Sequence, residues 1–217
     1  CDRVRSASRA QLVNVIAPIM AEEHGPAWRQ TTFYPFAEAA LHARGQAYAP
    51  AISSPTIHTE AYGDVPAIDA VVTWDEQART GLLLAVNRDA NTPHTLTIDL
   101  SGLPGLPGLG TLALSKAQLL HEDDPYRTNT AEAPEAVTPQ PLDIAMNATG
   151  TCTATLPAIS WISVESHART KYSQVQYDQG PSITIRLTGL VIHFGYFEPR
   201  IHQARANAGE DSRRERL

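Results

Sequence analysis

Between Asp69 and Leu100 the apolar residues fall into three short runs. These are Asp69-Ala70-Val71-Val72-Thr73-Trp74, Gly81-Leu82-Leu83-Leu84-Ala85-Val86-Asn87 and His94-Thr95-Leu96-Thr97-Ile98-Asp99-Leu100, each separated from the next by polar turn residues. Segments this short, rich in β-branched and aliphatic residues at a period near two, suit strands with one buried face. A β-meander is predicted here. Further strands are predicted over 111–120, 148–156 and 160–164, with the Pro/Gly loop GLPGLPGLG, the polar stretch 121–133 and a loop over 134–142 between them. Repeated short strands joined by Gly- and Pro-rich turns predict a mainly β chain, an antiparallel sandwich of the jelly-roll kind.

Upstream of Gly45 the spacing is helical. Val4, Leu12, Val13, Ile16 and Ile19 predict a helix over Asp2 to Met20 that ends near Pro18, and Glu22 to Pro26 is turn chemistry. Phe33, Phe36, Ala40 and Leu41 predict a second helix over Phe33 to Arg44, with Gly45 as its C-cap. Beyond His167 the character changes again: Ile183 to Leu187 and Leu190 to Phe194 could form a hairpin around Gly189, and Glu210 to Leu217 reads as an exposed, disordered charge run. The expected blocks are therefore 1–45, 46–166 and 167–217.

A length of 217 residues with 42% hydrophobic content suffices for a real core. A formal net charge of -6 and a pI near 5.7 argue against a nucleic-acid partner, which would need clustered Lys and Arg; a neutral substrate such as a polysaccharide fits better. Cys1 and Cys152 are too far apart in sequence to suggest a disulfide framework, so isolated thiols and a reducing cytoplasm are expected. No stretch approaches the roughly 20 apolar residues of a membrane helix, so no membrane partner is expected. The chain begins with Cys1 instead of Met, which reads as a truncated start.

A succession of motifs carries a family resemblance. QLVNVIAPIM from Gln11 and GPAWRQTTFYPF from Gly25 come first; DVPAIDAVVTWDEQARTGLLLAVNRD from Asp64, LLHEDDPYRTNTAEAPEAVTP from Leu119 and LPAISWISVE from Leu156 follow. Their order and spacing resemble the bacterial α-L-arabinofuranosidases of glycoside hydrolase family fifty-one over roughly Asp2 to Glu165. The resemblance implies a (β/α)8 barrel followed by a jelly-roll sandwich, removing terminal arabinofuranosyl units from arabinan, arabinoxylan and arabino-oligosaccharides with retention. Retention uses an acid/base carboxyl and a nucleophile about 5 to 5.5 Å apart. In the family both glutamates lie upstream of the first motif, so this chain is expected to be an inactive C-terminal fragment with no catalytic residue, no metal and no cofactor. The full-length enzyme is expected to be a cytoplasmic homo-oligomer.

By its place in the AQLVNV motif, Gln11 resembles a family glutamine that reaches the sugar, since an amide can both donate to and accept from arabinose oxygens. Trp28 and Arg29 could edge the active-site rim, although packing of Trp28 between barrel and sandwich is the favoured reading. Family members also lend their first residues to the sandwich, so an open strand edge is expected in this chain.

Other clusters have blander readings. Glu22-Glu23-His24 reads as a solvated turn, and His121-Glu122-Asp123-Asp124 as a polar loop capped by Asn129 and Thr130, lacking the alternation and glycine of a calcium loop. Asn147-Ala148-Thr149 matches a glycosylation sequon without a secretion signal. Ser101-Gly102 and Ser160-Trp161 lack nucleophile-elbow context. The alternative function is a non-catalytic carbohydrate-binding or oligomerising module, with Trp74, Tyr126 and Trp161 as available aromatics, Trp161 being expected to face the core.

Overall fold

The computed structural model describes residues 6–100, 102, 112–147, 151–168 and 184–187. In chain order the elements are β1 (Ile19–Ala21), β2 (Ala27–Arg29), α1 (Phe33–His42), β3 (Gln46–Tyr48), β4 (Ala51–Ile52), β5 (Thr56–Thr59), β6 (Gly63–Pro66), β7 (Ile68–Asp75) and β8 (Thr80–Asn87). They continue with β9 (His94–Asp99), β10 (Leu112–His121), β11 (Gln140–Pro141), β12 (Ala145–Met146), β13 (Thr151–Leu156), β14 (Ser160–Ala168) and β15 (Thr184–Leu187).

Two sheets face each other. One has the order β11-β10-β14-β8-β7-β3 and the other β12-β13-β9-β15-β4, while β1-β2 and β5-β6 are separate hairpins. The pattern that predicted strands also sorts their faces. In β9 Leu96 and Ile98 are buried while Thr95 and Thr97 are not, and in β13 Cys152, Ala154 and Leu156 alternate with exposed Thr153 and Thr155. These side chains meet Ile68, Val72, Trp74, Leu83, Ile162 and Val164 from the other sheet in one continuous core. Each fully buried aliphatic side chain contributes about 1.5–3 kcal/mol relative to its exposed state. This is the mainly β sandwich that the sequence predicts.

β10 carries an irregularity that sets the geometry of the outer face. Leu114 pairs with Ser166 and Lys116 with Glu165, so Ser115 is an extra residue opposite no partner on β14. The extra residue shifts the alternation by one. Leu112 and Leu114 point to the core before the bulge and Ala117 and Leu119 after it, leaving Lys116 and Gln118 on the opposite face.

Several expectations require correction. No helix occupies the described part of Asp2 to Met20: Gln11, Asn14 and Val15 have positive φ of 59, 62 and 58°, which a right-handed helix cannot contain. The chain instead turns, the Asn14 side chain accepting from the Ala21 N–H at 2.7 Å, and enters β1. The second helix stops at His42 with Ala43 as its C-cap. Gly45 has a different role: at φ +76° it lies against the Trp74 backbone, where a Cβ would come within 2.1 Å of the Trp74 carbonyl oxygen. The loop over 134–142 contains the short strand β11, and the strand placed at 148–156 is described only from Thr151. Of the tail hairpin, Thr184–Leu187 is a strand; Leu190 to Phe194, the 210–217 charge run, Gly105 to Gly110 and Cys1 lie outside the described residues. The open strand edge expected in the sandwich is not at β9, which pairs with β13 on one side and β15 on the other.

Candidate functional site

α1 lies across the outer face of the six-stranded sheet, and a cleft of about 390 Å³ opens between them. Phe33, Tyr34 and Glu38 line it from the helix, Lys116 and Gln118 from β10, and Trp161 from β14. The helix starts at Phe33 with Pro35 in its first turn, where a missing N–H costs nothing. Its entry is braced by the Arg29 guanidinium, 5.1 Å from the Phe33 ring centroid, and by the edge-on Phe33 and Tyr34 rings at 5.7 Å. Burial pushes the Tyr34 hydroxyl above its ordinary pKa, only partly offset by nearby Arg29.

The charged centre of the interface is built from three elements. Glu38 on α1, only 8% exposed, accepts from Lys116 Nζ at 3.2 Å and from Ser163 Oγ at 3.2 Å. Lys116 Nζ is also 3.5 Å from Glu165 Oε1, and His42 Nδ1 is 3.8 Å from Glu165 Oε2. A buried carboxylate is tolerated only with such partners. The bulge at Ser115 puts Lys116 here, since without the shift in alternation the same residue would fall on the core side.

Glu38, His42 and Glu165 offer ligand atoms within 4.8 Å of one another, the donor set a divalent metal would use, yet the Lys116 ammonium already provides the positive charge. Lys116 likewise occupies the space between the two glutamates, where a sugar would have to sit for them to act as acid/base and nucleophile. The arrangement holds a helix on a sheet; it does not present two free carboxylates.

A second contact joins the N-terminal segment to the sandwich. Asn129, 1% exposed, donates through Nδ2 to the carbonyls of Arg29 at 2.8 Å and Val137 at 3.0 Å and accepts from the Val137 N–H at 2.7 Å. Its own carbonyl receives the Trp28 indole N–H at 2.9 Å and the Gln30 side-chain amide at 3.2 Å. Trp28 therefore packs against the sandwich, the favoured reading, and Asn129 is a clamp, where the sequence suggested only a loop cap.

The remaining sequence candidates do not converge on the cleft. Gln11 is exposed on the segment before β1 and is not among the cleft residues. Glu23 and His24 are both more than 90% exposed. Glu122, Asp123 and Asp124 organise their own turn, Asp123 pairing with His121 at 3.2 Å and Asp124 receiving the Tyr126 N–H at 2.9 Å. Trp74 is 2% exposed and sits in the core, so it offers no sugar platform. Trp161 is half-buried on the cleft side, a correction to its expected core position: Ser160, Ile162 and Val164 take the inner face of β14. Tyr126 is 89% exposed. The sequence hid Glu38, Lys116 and Glu165 because their meeting depends on the register of β10 and β14; only the four-residue spacing of Glu38 and His42 was visible.

The family model for the α-L-arabinofuranosidase C-terminal domain matches residues 1–160. A Bifidobacterium longum protein described as an intracellular exo-α-(1→5)-L-arabinofuranosidase is 99% identical over 167 residues, covering 77% of this chain and 30% of that protein. An exo-α-(1→6)-L-arabinofuranosidase of the same species is 44% identical over 75% of this chain and 30% of its own length. A solved family 51 α-L-arabinofuranosidase from Bifidobacterium longum superposes with a TM-score of 0.72 at 95% identity, covering 77% of this chain and 31% of that one. An arabinofuranosidase structure from Xanthomonas axonopodis, 24% identical with a TM-score of 0.62 over 76% of this chain and 32% of that one, shares the fold. The chain thus spans about 30% of the length of these curated relatives.

Proposed function

The chain belongs to the family of α-L-arabinofuranosidase C-terminal domains, and from that premise we propose that it is the C-terminal part of a retaining α-L-arabinofuranosidase. The enzyme as a whole releases terminal arabinofuranosyl residues from arabinan, arabinoxylan and arabino-oligosaccharides; this polypeptide alone does not. The carrying observation is the 99% identity to an exo-α-(1→5)-L-arabinofuranosidase of which the chain spans 30%. On this reading 1–45 is the closing part of a barrel, 46–166 the sandwich that braces it and 167–217 an added tail. Gln11 contributes a sugar contact once the rest of the barrel surrounds it.

Inactivity of the chain alone follows from chemistry. Cleavage needs one carboxyl to protonate the leaving oxygen and a second to attack the anomeric carbon. Glu38 and Glu165 share the Lys116 ammonium and hold α1 in place. The names of the relatives place them inside the cell, and no helix among the described residues is long and apolar enough to cross a membrane. A cytoplasmic homo-oligomer is the reading for the whole enzyme.

The test is nitrophenol release from an aryl α-L-arabinofuranoside. The purified chain should give none, and the full-length Bifidobacterium longum relative should give turnover. Release by the chain itself, abolished by Glu38→Gln or Glu165→Gln, would move the chemistry into this polypeptide and overturn the reading.

A further inference from the structure

On the outer face of the six-stranded sheet, β14 presents Trp161 and Ser163 while β10 lays Lys116 and Gln118 beside them. Leu120 is directly opposite Trp161 and Gln118 directly opposite Ser163, so the Gln118 amide is the diagonal neighbour of the Trp161 indole, within reach across the two strands. The fold makes no polar use of either group. Among the described residues neither the Gln118 amide nor the Trp161 indole N–H forms a hydrogen bond, although both side chains are half-buried. Trp28, by contrast, donates its indole N–H to Asn129, and Trp74 is sealed in the core.

The cleft around them, about 390 Å³, falls within the range of about 300–1,000 Å³ typical of small-molecule sites. Its charges balance. Arg29 and Lys116 line it together with Glu38 and Glu135; Arg29 faces the Phe33 ring, and Lys116 is held by Glu38 and Glu165. An ionic ligand therefore meets no unmatched opposite charge there. A purely apolar ligand would strip water from the Gln118 amide and the exposed Glu135 carboxylate without replacing it. A neutral ring with an apolar face and a rim of hydroxyls satisfies both conditions: its face packs on the indole, and its hydroxyls donate to the carboxylate and exchange hydrogen bonds with the amide. We propose that the cleft between α1 and β10 is a binding site for a short arabinofuranosyl oligosaccharide, with Trp161 as its apolar wall and Gln118 and Glu135 as its polar contacts. Trp161, Gln118 and the balanced charges select a neutral sugar; that the sugar is an arabinofuranoside rests on the function proposed above.

Isothermal titration of the chain with α-(1→5)-linked arabinotriose should give saturable heat with a Kd of about 1 mM or tighter. Trp161→Ala should weaken binding by about tenfold or more, and Trp161→Phe, which keeps an aromatic face, should recover most of the loss. Gln118→Ala removes a side chain that no other group of the described fold depends on, so this variant should fold as the parent does. The loss of one hydrogen bond to the sugar should weaken its binding by about two- to tenfold. Tyr126→Ala, at an exposed aromatic outside the cleft, should bind as the parent does, and cellotriose, built from six-membered rings, should bind more weakly than arabinotriose. A flat titration with arabinotriose, or binding that neither Trp161→Ala nor Gln118→Ala weakens, would overturn the site. Equal affinity for cellotriose would overturn its assignment to arabinofuranosides. None of these outcomes bears on nitrophenol release, and saturable binding here with no turnover by the full-length relative would sink the proposed function while leaving the site in place.

Discussion

Trp28 and Asn129, 101 positions apart in sequence, are joined by a 2.9 Å hydrogen bond from the indole N–H to the Asn129 carbonyl. The Asn129 side chain completes the contact by donating to the Arg29 carbonyl, so one residue of the sandwich holds the backbone and side chains of the segment that precedes α1. Truncating that side chain leaves the Val137 N–H and the Arg29 and Val137 carbonyls without it. Asn129→Ala should cost about 2–4 kcal/mol in urea unfolding, three hydrogen bonds, two of them buried, at about 1 kcal/mol each. A cost near zero would mean the clamp does not bear on stability.

Lys116 and Glu38 form a pair in which only one partner is sealed from water, Glu38 at 9% and Lys116 at 40% side-chain exposure. Lys116→Met strands a buried carboxylate and should destabilise by about 1–3 kcal/mol, less than a fully buried pair because the lysine is partly solvated. Adding Glu38→Gln should recover part of that loss. If the two changes prove additive in a double-mutant cycle, the ion pair does not hold α1 on the sheet.

Asp89 accepts the N–H groups of Asn91 at 2.9 Å and Thr92 at 3.1 Å and lies 3.3 Å from His94 Nε2. The backbone hydrogen bond from Asn91 leads the causes that hold its carboxyl below the ordinary 3.8. A group lowered on folding stabilises the native state above its unfolded value and loses that contribution as pH falls through its folded value. Asp89→Asn should therefore be less stable than the parent at pH 7, with the gap closing as pH falls below about 4. Thermal melts from pH 7 to pH 2.5 check this, and a gap that stays constant with pH would contradict the assignment.

Burial pushes the Cys152 thiol up to about 12, and its side chain is 2% exposed. Since the thiolate is the reactive form, Cys152 should resist alkylation by iodoacetamide at pH 8 in the native chain and react once urea unfolds it. Peptide mapping by mass spectrometry distinguishes it from Cys1. Rapid native labelling at Cys152 would show that the core between the two sheets opens.

Short apolar runs bounded by polar turns made the sandwich legible. β7, β9, β13 and β14 each turn one face of mainly apolar residues to the core and β8 is apolar on both faces, and the predicted and observed bounds differ at their ends by a few residues. The hairpin from Thr56 to Pro66 escaped because His58, Glu60 and Asp64 break any apolar period, and its strands are only half-buried. The opposite error occurred before β1. Leu12, Val13 and Ile16 have helical spacing, yet the backbone there is irregular and those side chains are exposed by 74, 44 and 61%. Apolar spacing is a signal of helix only when a partner surface receives it. The charged centre beneath α1 was hidden for a different reason: Lys116 and Glu165 are 49 positions apart, and the bulge decides whether they meet.

Ser115 is exposed and opposes no residue of β14. Deleting it would let Leu114 and Lys116 pair consecutively with Ser166 and Glu165, giving a regular ladder with every later residue still on its present face. An insertion or deletion between Ala117 and Leu119 would have the reverse result, turning Leu119 outward and a polar neighbour into the core. Ser115 is thus a point where this strand can change length by one residue and keep its inside and outside.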